Sequence, residues 1–453
     1  MTGGFQEFHD ASGAEFARVL RKSLELKGLA PEEASILLSA KKNERKAVVS
    51  AAGFVKDRIY GRRVVLFAPV YSTNICVNSC LYCAFSSSNL SLKRRRLERA
   101  ELQREIACLL SEGHKRILLV FAQDPFFTGS RIAETIKEIY SFGKSGRGIR
   151  RVNVNCAPLS VEDFREITKA GIGTYQIFQE TYDRDVYRAM HGSGSPKSDF
   201  DYRYEAPLRA FQGGIDDVGI GVLLGLTDFR KDIPELIKHA GWMEERCGFG
   251  PHTVSIPRVR TADGSAVSRK PPFPVSDDEL ELIIAVLRLS LPYTGIILST
   301  RENHSLRMRL LRAGVSQISA GSRTSVGGYG AASGVKSEDS MPDDNRNNQF
   351  GIYDYQTLKE NVADLVKNGF IPSFCTACYR SRRTGGRFME ITKKGKISRF
   401  CTMNALLTFQ EYARDFRFDC DVEREFHDET SRFSGEFHDR MEAIKQGEND
   451  LFY

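Results

Sequence analysis

Cys76, Cys80 and Cys83 stand in the spacing C-x3-C-x2-C, and Cys375, Cys378 and Cys401 in the spacing C-x2-C-x22-C. Ten cysteines in 453 residues are too sparse for a disulfide scaffold, and the grouping of six of them points to metal ligation in a reducing compartment. Three thiolates can hold three irons of a 4Fe-4S cluster and leave the fourth iron with open coordination sites. Structural zinc is the competing chemistry. It would need a distant His to complete the first trio, and it would leave the second a ribbon lacking its fourth ligand.

The first trio directly follows Val64–Val70, an apolar run read as the first of eight strands; the others are expected at 117–121, 152–156, 174–178, 218–224, 253–256, 295–299 and 315–319. Segments such as 98–112, 130–141, 160–169, 232–246, 277–290 and 302–313 carry apolar residues three and four apart, which predicts helices between the strands. Eight βα units, with no Gly-x-Gly-x-x-Gly turn after the first strand, predict an α/β fold with a (β/α)8 barrel of the TIM type over 61–350; an open doubly wound sheet is the alternative. Active sites of such barrels lie at the carboxyl ends of the strands, where the first trio falls. Residues 1–60 read as an N-terminal helical extension, with a helix start at Pro31. Residues 326–350, rich in Gly, Ser, Asn and Asp, read as a mobile loop or linker. Residues 351–453 read as a mainly helical C-terminal domain carrying the second trio.

Sixty-five Lys and Arg against 58 Asp and Glu leave +7, a modest excess that favours an acidic ligand but falls short of a dedicated nucleic-acid binder. The run Lys93-Arg-Arg-Arg-Leu-Glu-Arg99 is read as a solvated face or an electron-donor docking site ahead of an RNA patch. The first ten residues lack a basic segment followed by an apolar one, and no apolar run approaches the ~20 residues that span a bilayer. The expectation is a cytoplasmic protein with neither nucleic acid nor membrane as partner.

The first trio, with Tyr82 before its last cysteine, resembles the radical S-adenosylmethionine (SAM) superfamily. That resemblance implies SAM on the open iron and a 5′-deoxyadenosyl radical. It also implies SAM contacts from Tyr82, Glu180, Arg203 and the stretch after the second strand, where Phe121-Ala122-Gln123-Asp124-Pro125 replaces the usual Gly-Gly-Glu-like sequence. From about residue 45 to 412 an ordered set of motifs resembles the HydG family, the tyrosine lyase maturases of FeFe-hydrogenase. These are Ile59-Tyr-Gly-Arg-Arg-Val-Val-Leu-Phe-Ala-Pro69, Cys76-Val-Asn-Ser-Cys-Leu-Tyr-Cys83, Gly171–Tyr182, Gly250-Pro-His-Thr-Val-Ser-Ile-Pro-Arg258, Gly314–Arg323 and the second trio.

The family resemblance implies cleavage of the Cα–Cβ bond of L-tyrosine to p-cresol and dehydroglycine. It further implies CO and cyanide captured with cysteine on an additional mononuclear iron beside a second 4Fe-4S cluster, that iron being held by His252. Implied partners are a reductant such as flavodoxin or ferredoxin, a scaffold GTPase and a companion radical SAM maturase. The alternative is a 2-iminoacetate synthase-like or other aromatic amino-acid lyase that does not form CO. Ala84, Arg382, Met403 and the Phe121-Ala-Gln123 stretch depart from the family pattern without removing a ligand, which suggests a divergent branch.

Alternation along the eighth strand turns Ile318 and Ala320 toward the helices and Gln317, Ser319, Gly321 and Arg323 into the barrel. Along the fourth strand the same alternation turns Gln176, Phe178 and Glu180 inward, so Arg323, whose planar fork suits a substrate carboxylate, Ser319, and Glu180, able to bind an amino group, are the catalytic candidates. His252 precedes the sixth strand while Cys76 follows the first. The two centres should therefore sit at opposite ends, at least ~20 Å apart, with a small intermediate passing inside the barrel. Cys108, Cys156, Cys247 and Cys420 stand singly and are expected to pack as small apolar residues.

Overall fold

A computed structural model describes residues 11–143, 147–332 and 347–453. Its apolar runs form eight parallel strands: β1 (Arg63–Thr73), β2 (Arg116–Phe121), β3 (Arg151–Asn155), β4 (Tyr175–Gln176), β5 (Val218–Gly221), β6 (Thr253–Ser255), β7 (Gly295–Leu298) and β8 (Gln317–Ser319). Each pairs with the next, and β8 pairs with β1 through Val65 and Gln317, so the sheet closes into the expected barrel. Closure removes both edges and leaves side chains alternating between the interior and the helical layer. Ile318 and Ala320 lie in the apolar layer under the helices, where alternation put them. Several strands are shorter than expected; β4 is only two residues long as a continuous ladder, although Ile177 N and Gln179 N go on to donate to Gly219 O and Gly221 O and Glu180 bridges Val222.

Three helices, Ala11–Ser23, Pro31–Leu38 and Lys42–Tyr60, precede the barrel and pack on one another and on the helix Asp277–Ser290. Pro31 fills the first helical position, where its missing N–H costs nothing. Among the described residues no helix is long and apolar enough to cross a membrane.

Two elements escaped the sequence reading. Gly328–Ala332 is a short helix where a linker was expected; Glu105 of the helix Arg99–Glu112 accepts from the backbone N–H groups of Tyr329 and Gly330. The central part of that expected linker, 333–346, lies outside the described residues. A ninth strand, β9 (Ile371–Ser373), runs parallel to the first residues of β1, with Arg63 opposite Ile371 and Val65 opposite Ser373. β2 takes up the pairing only from Ala68 onward. β1 is thus long enough to carry β9 beside its amino end and β2 beside its carboxyl end. The helix Ile397–Asp415 packs on β9, and its Glu411 pairs with Arg150, just ahead of β3, both side chains almost fully buried.

Candidate functional site

The loop leaving the carboxyl end of β1 carries the first trio. Cys80 is buried and Cys76 and Cys83 half-buried, and burial pushes the thiols of Cys80 and Cys83 up, aided by Cys76 and Glu180 at Cys80 and by Cys80 and Cys76 at Cys83, which reaches about 12. Such thiols stay protonated unless a metal takes them as thiolates, so this donor set fits a bound iron cluster. Side-chain N–H groups already point at the sulfurs: Asn78 Nδ2 lies 3.6 Å from Cys76 Sγ and Gln349 Nε2 3.8 Å from Cys83 Sγ. Among the described residues no three His, Cys, Asp or Glu side chains converge on an ion-sized point; a cubane keeps its thiolates further apart than a single ion does.

Gln123 shapes this loop. Its carbonyl accepts from Val77 N and its Oε1 from Asn78 Nδ2 at 2.8 Å. Ala122 N donates to Thr73 O, continuing the β1–β2 pairing. Asp124 is buried and gripped by both arms of the Arg96 fork, at 2.6 and 2.8 Å, and by Thr73 Oγ1. Burial works against its charge, but these partners hold the carboxyl below its usual range. Asp124 is therefore occupied within the protein, while the Ala122–Gln123 backbone lies beside the cysteine loop.

Glu180, at the turn after β4, adopts φ +75, a left-handed conformation uncommon for a residue with a side chain. Its Oε1 accepts from Lys197 Nζ at 2.6 Å, and Arg203 stands close by, donating Nε to Phe178 O. Burial raises the carboxyl, and the two cations outweigh it, so Glu180 is held ionised. Tyr82 is buried, its hydroxyl 2.8 Å from His191 Nε2, while His191 Nδ1 lies 2.7 Å from Tyr187 O. Burial and the nearby Lys197 and Arg203 push His191 down to about 2. The ring is therefore neutral, donating from Nδ1 to Tyr187 and accepting from Tyr82.

The corner after Glu180 is held by Asp232, 1% exposed, which accepts from Thr181 Oγ1 at 2.9 Å and Tyr182 N at 2.7 Å. Burial pushes its carboxyl up to about 7 despite those bonds. A folded-state value above the unfolded one contributes stability that is full below the unfolded pKa and is lost as pH rises through about 7. Asp232→Asn should flatten this dependence. In denaturant titrations from about pH 5 to 8.5 the native protein should lose a few kcal/mol relative to the variant, on the order expected for a shift of this size. Parallel curves would refute it.

Ser319 is buried on β8, its Oγ accepting from Thr300 N at 3.2 Å. Arg323 lies elsewhere: its neighbours are Glu112 and Tyr329, and its Nη1 turns back to Ser322 O. The two-residue alternation does not reach it, because β8 ends at Ser319 and Gly321 takes φ +60, turning the chain. A third cation near Glu180, after Lys197 and Arg203, is Arg301, just after β7. Arg301 is half-buried, its guanidinium over the Phe350 ring at 3.4 Å and Nη1 donating to Arg258 O. Burial lowers it to about 10, with Tyr71, Glu180 and Cys83 the nearest groups opposing that shift. Its neighbour Glu302 is taken by Arg258 and Arg260. Sequence reasoning passed over Arg301, although its place at a strand's carboxyl end in Ser-Thr-Arg-Glu was a usable signal.

The second trio gathers at the barrel's opposite end. β9 leads straight into Cys375; Cys378 lies in the short helix Ala377–Arg380 and Cys401 in the helix Ile397–Asp415. These thiols share a cavity with His252, Gln317, Arg63 and Arg116. The His252 side chain, 14% exposed, stands 4.7 Å from the Phe388 ring, with Nδ1 3.8 Å from Asp217 Oδ2. Burial and three nearby arginines push His252 down, leaving the neutral form that ligates metal. Arg63, Arg116 and Arg151 are the first residues of β1, β2 and β3. Each leaves one buried nitrogen without a partner in the protein, and Arg63 lies beside Cys401 and Cys375. Arg63 and Arg116 line the thiols' cavity while Arg151 lies over the Tyr379 ring, and unpaired buried guanidinium nitrogens beside three thiols fit an anionic cluster between them. From Val65, level with β9, to Thr73 at the end of β1, the rise is roughly 26 Å.

A family model for the radical SAM superfamily matches residues 70–240, and one for the biotin and thiamin synthesis associated domain matches 255–371. The chain is 32% identical to 2-iminoacetate synthase of Salmonella typhimurium over 275 residues, 60% of this chain and 69% of that protein. A crystal structure of HydG, a maturase of the [FeFe]-hydrogenase, superposes with a TM-score of 0.90 at 40% identity, covering 98% of this chain and 96% of the other. HydG from Carboxydothermus hydrogenoformans superposes with a TM-score of 0.79 at 38% identity, covering 96% and 93%.

Proposed function

The chain is a radical SAM lyase of the family that includes HydG and 2-iminoacetate synthase, and on that premise we propose that it cleaves L-tyrosine to p-cresol and dehydroglycine and converts the latter to CO and cyanide for FeFe-hydrogenase cluster assembly. The observation that carries this reading is the pair of cysteine trios at opposite ends of one barrel, the second beside His252.

In this reading Cys76, Cys80 and Cys83 hold one 4Fe-4S cluster, Cys375, Cys378 and Cys401 a second, and His252 an additional iron. The first cluster with SAM supplies a 5′-deoxyadenosyl radical for hydrogen abstraction. Arg301 binds the tyrosine carboxylate through its fork. Glu180, kept ionised by Lys197 and Arg203, receives an ammonium group of SAM or substrate, and the Ala122–Gln123 backbone borders SAM. Tyr82, buried against His191, keeps water from the cluster loop. Dehydroglycine is an anion small enough to pass down the barrel, and Arg63, Arg116 and Arg151 draw its carboxylate toward the second trio. The reductant is a flavodoxin or ferredoxin, and the product passes to a scaffold GTPase working with a companion radical SAM maturase.

A second reading, favoured by the 32% identity to 2-iminoacetate synthase, stops at dehydroglycine. That match covers only 60% of the chain. Anaerobic reconstitution separates the two. The first reading expects about eight irons plus one labile iron, SAM cleavage, and p-cresol accompanied by CO trapped on a haem protein. p-Cresol without CO selects the second, and zinc in place of iron defeats both.

A further inference from the structure

In the basic run Lys93–Arg99, Arg95, Arg96 and Arg99 each pair with a carboxylate, of Glu101, Asp124 and Glu138 respectively. Arg94 differs. Its guanidinium turns inward and donates only to backbone carbonyls: Nη1 to Asn74 O and Phe85 O, both at 2.8 Å, and Nη2 to Ser86 O at 2.5 Å and Asn89 O at 3.1 Å. Asn74 lies two residues before Cys76 and Phe85 two residues after Cys83, so one side chain joins both ends of the cysteine segment. The strap that carries it is fastened to the same strand end: Thr73 bridges Arg96, Asn74 N donates to Arg95 O, and the Asn74 side chain bonds Lys93 O and Arg95 N. A planar fork with five N–H groups can span four carbonyls at once, which an ammonium on a single nitrogen cannot.

We propose that Arg94 is a positioning residue for the first cysteine trio, fastening the two ends of its loop so that the three thiols keep their spacing before iron arrives. This rests on the reading that Cys76, Cys80 and Cys83 hold an iron-sulfur cluster. The test uses full-length Arg94→Lys and Arg94→Gln, reconstituted anaerobically and reduced, with the signal that changes on adding SAM assigned to the first cluster by electron paramagnetic resonance. The second cluster in the same molecule reports whether the fold is intact. Both variants should lose the SAM-responsive signal to an iron chelator about tenfold faster than the native protein, the scale of one lost charge-assisted hydrogen bond. The second cluster's rate should not change. Before iron is added, limited proteolysis should cut both variants faster within residues 76–90. Native extraction rates in either variant would overturn the proposal, as would parallel loss of both clusters, which marks a general role in the fold. A native protein with no SAM-responsive cluster would instead defeat the reading of the first trio, whatever Arg94 does.

Discussion

Cys83→Ala should abolish SAM cleavage, p-cresol and CO together, whereas Cys378→Ala should leave SAM cleavage and p-cresol near native levels and remove CO alone. The asymmetry follows from placement. Cys83 belongs to the trio beside Glu180, Lys197 and Arg301, and Cys378 to the trio at the far end of β1, roughly 26 Å of strand away. Groups acting as one unit fail together, so losing any ligand of the first trio should lower tyrosine cleavage at least about a thousandfold. Distant, separately packed groups act independently, so the second trio should barely affect it. The measurement is anaerobic turnover with p-cresol quantified by chromatography and CO by haem absorbance. A Cys378 variant that also loses p-cresol would show that the far trio serves the first reaction, and the two-centre reading would fall.

Arg301→Lys should raise KM for tyrosine about 10- to 100-fold while KM for SAM stays within about twofold, because losing one hydrogen bond to a charged group costs about 1.5–3 kcal/mol. Arg323→Lys should change neither constant, because its fork turns to Ser322 and its acidic neighbour is Glu112, away from Glu180. Lysine retains the charge at 301 but not the planar pair of donors, so the contrast isolates bidentate recognition from electrostatic attraction. If KM for SAM rises instead, Arg301 grips the cofactor's carboxylate. If Arg323→Lys proves the damaging change, the assignment of Arg301 fails.

Much of this could be read directly along the chain. Residue type and spacing within a short loop are covalent properties, so the C-x3-C-x2-C of Cys76, Cys80 and Cys83 and the C-x2-C of Cys375 and Cys378 could be read without a fold. Strand-helix alternation likewise predicted a parallel sheet covered on both faces, and eight units with no Gly-x-Gly-x-x-Gly turn favoured the closed barrel over the open sheet. Even the opposite-end placement of His252 followed from whether a residue precedes or follows its strand. Arg323 shows where such reasoning stops. Alternation holds only while the backbone stays extended, and Gly321 ends that stretch at φ +60.

The sequence by itself determined the residue types, their local spacing, the alternating βα units and the end of each strand at which the cysteines and His252 lie. Tertiary structure alone decided that β9 would lie along the amino half of β1 and carry the second trio to His252. It also decided that the first residues of β1, β2 and β3 would bring three guanidinium groups near that centre, that Arg301 would stand near Glu180, and that Arg94 would be the inward-facing member of a basic run. The reason is physical. Spacing within a loop is set by the bonds of the chain, whereas meetings between distant segments depend on strand register and on which charges find partners once water is excluded.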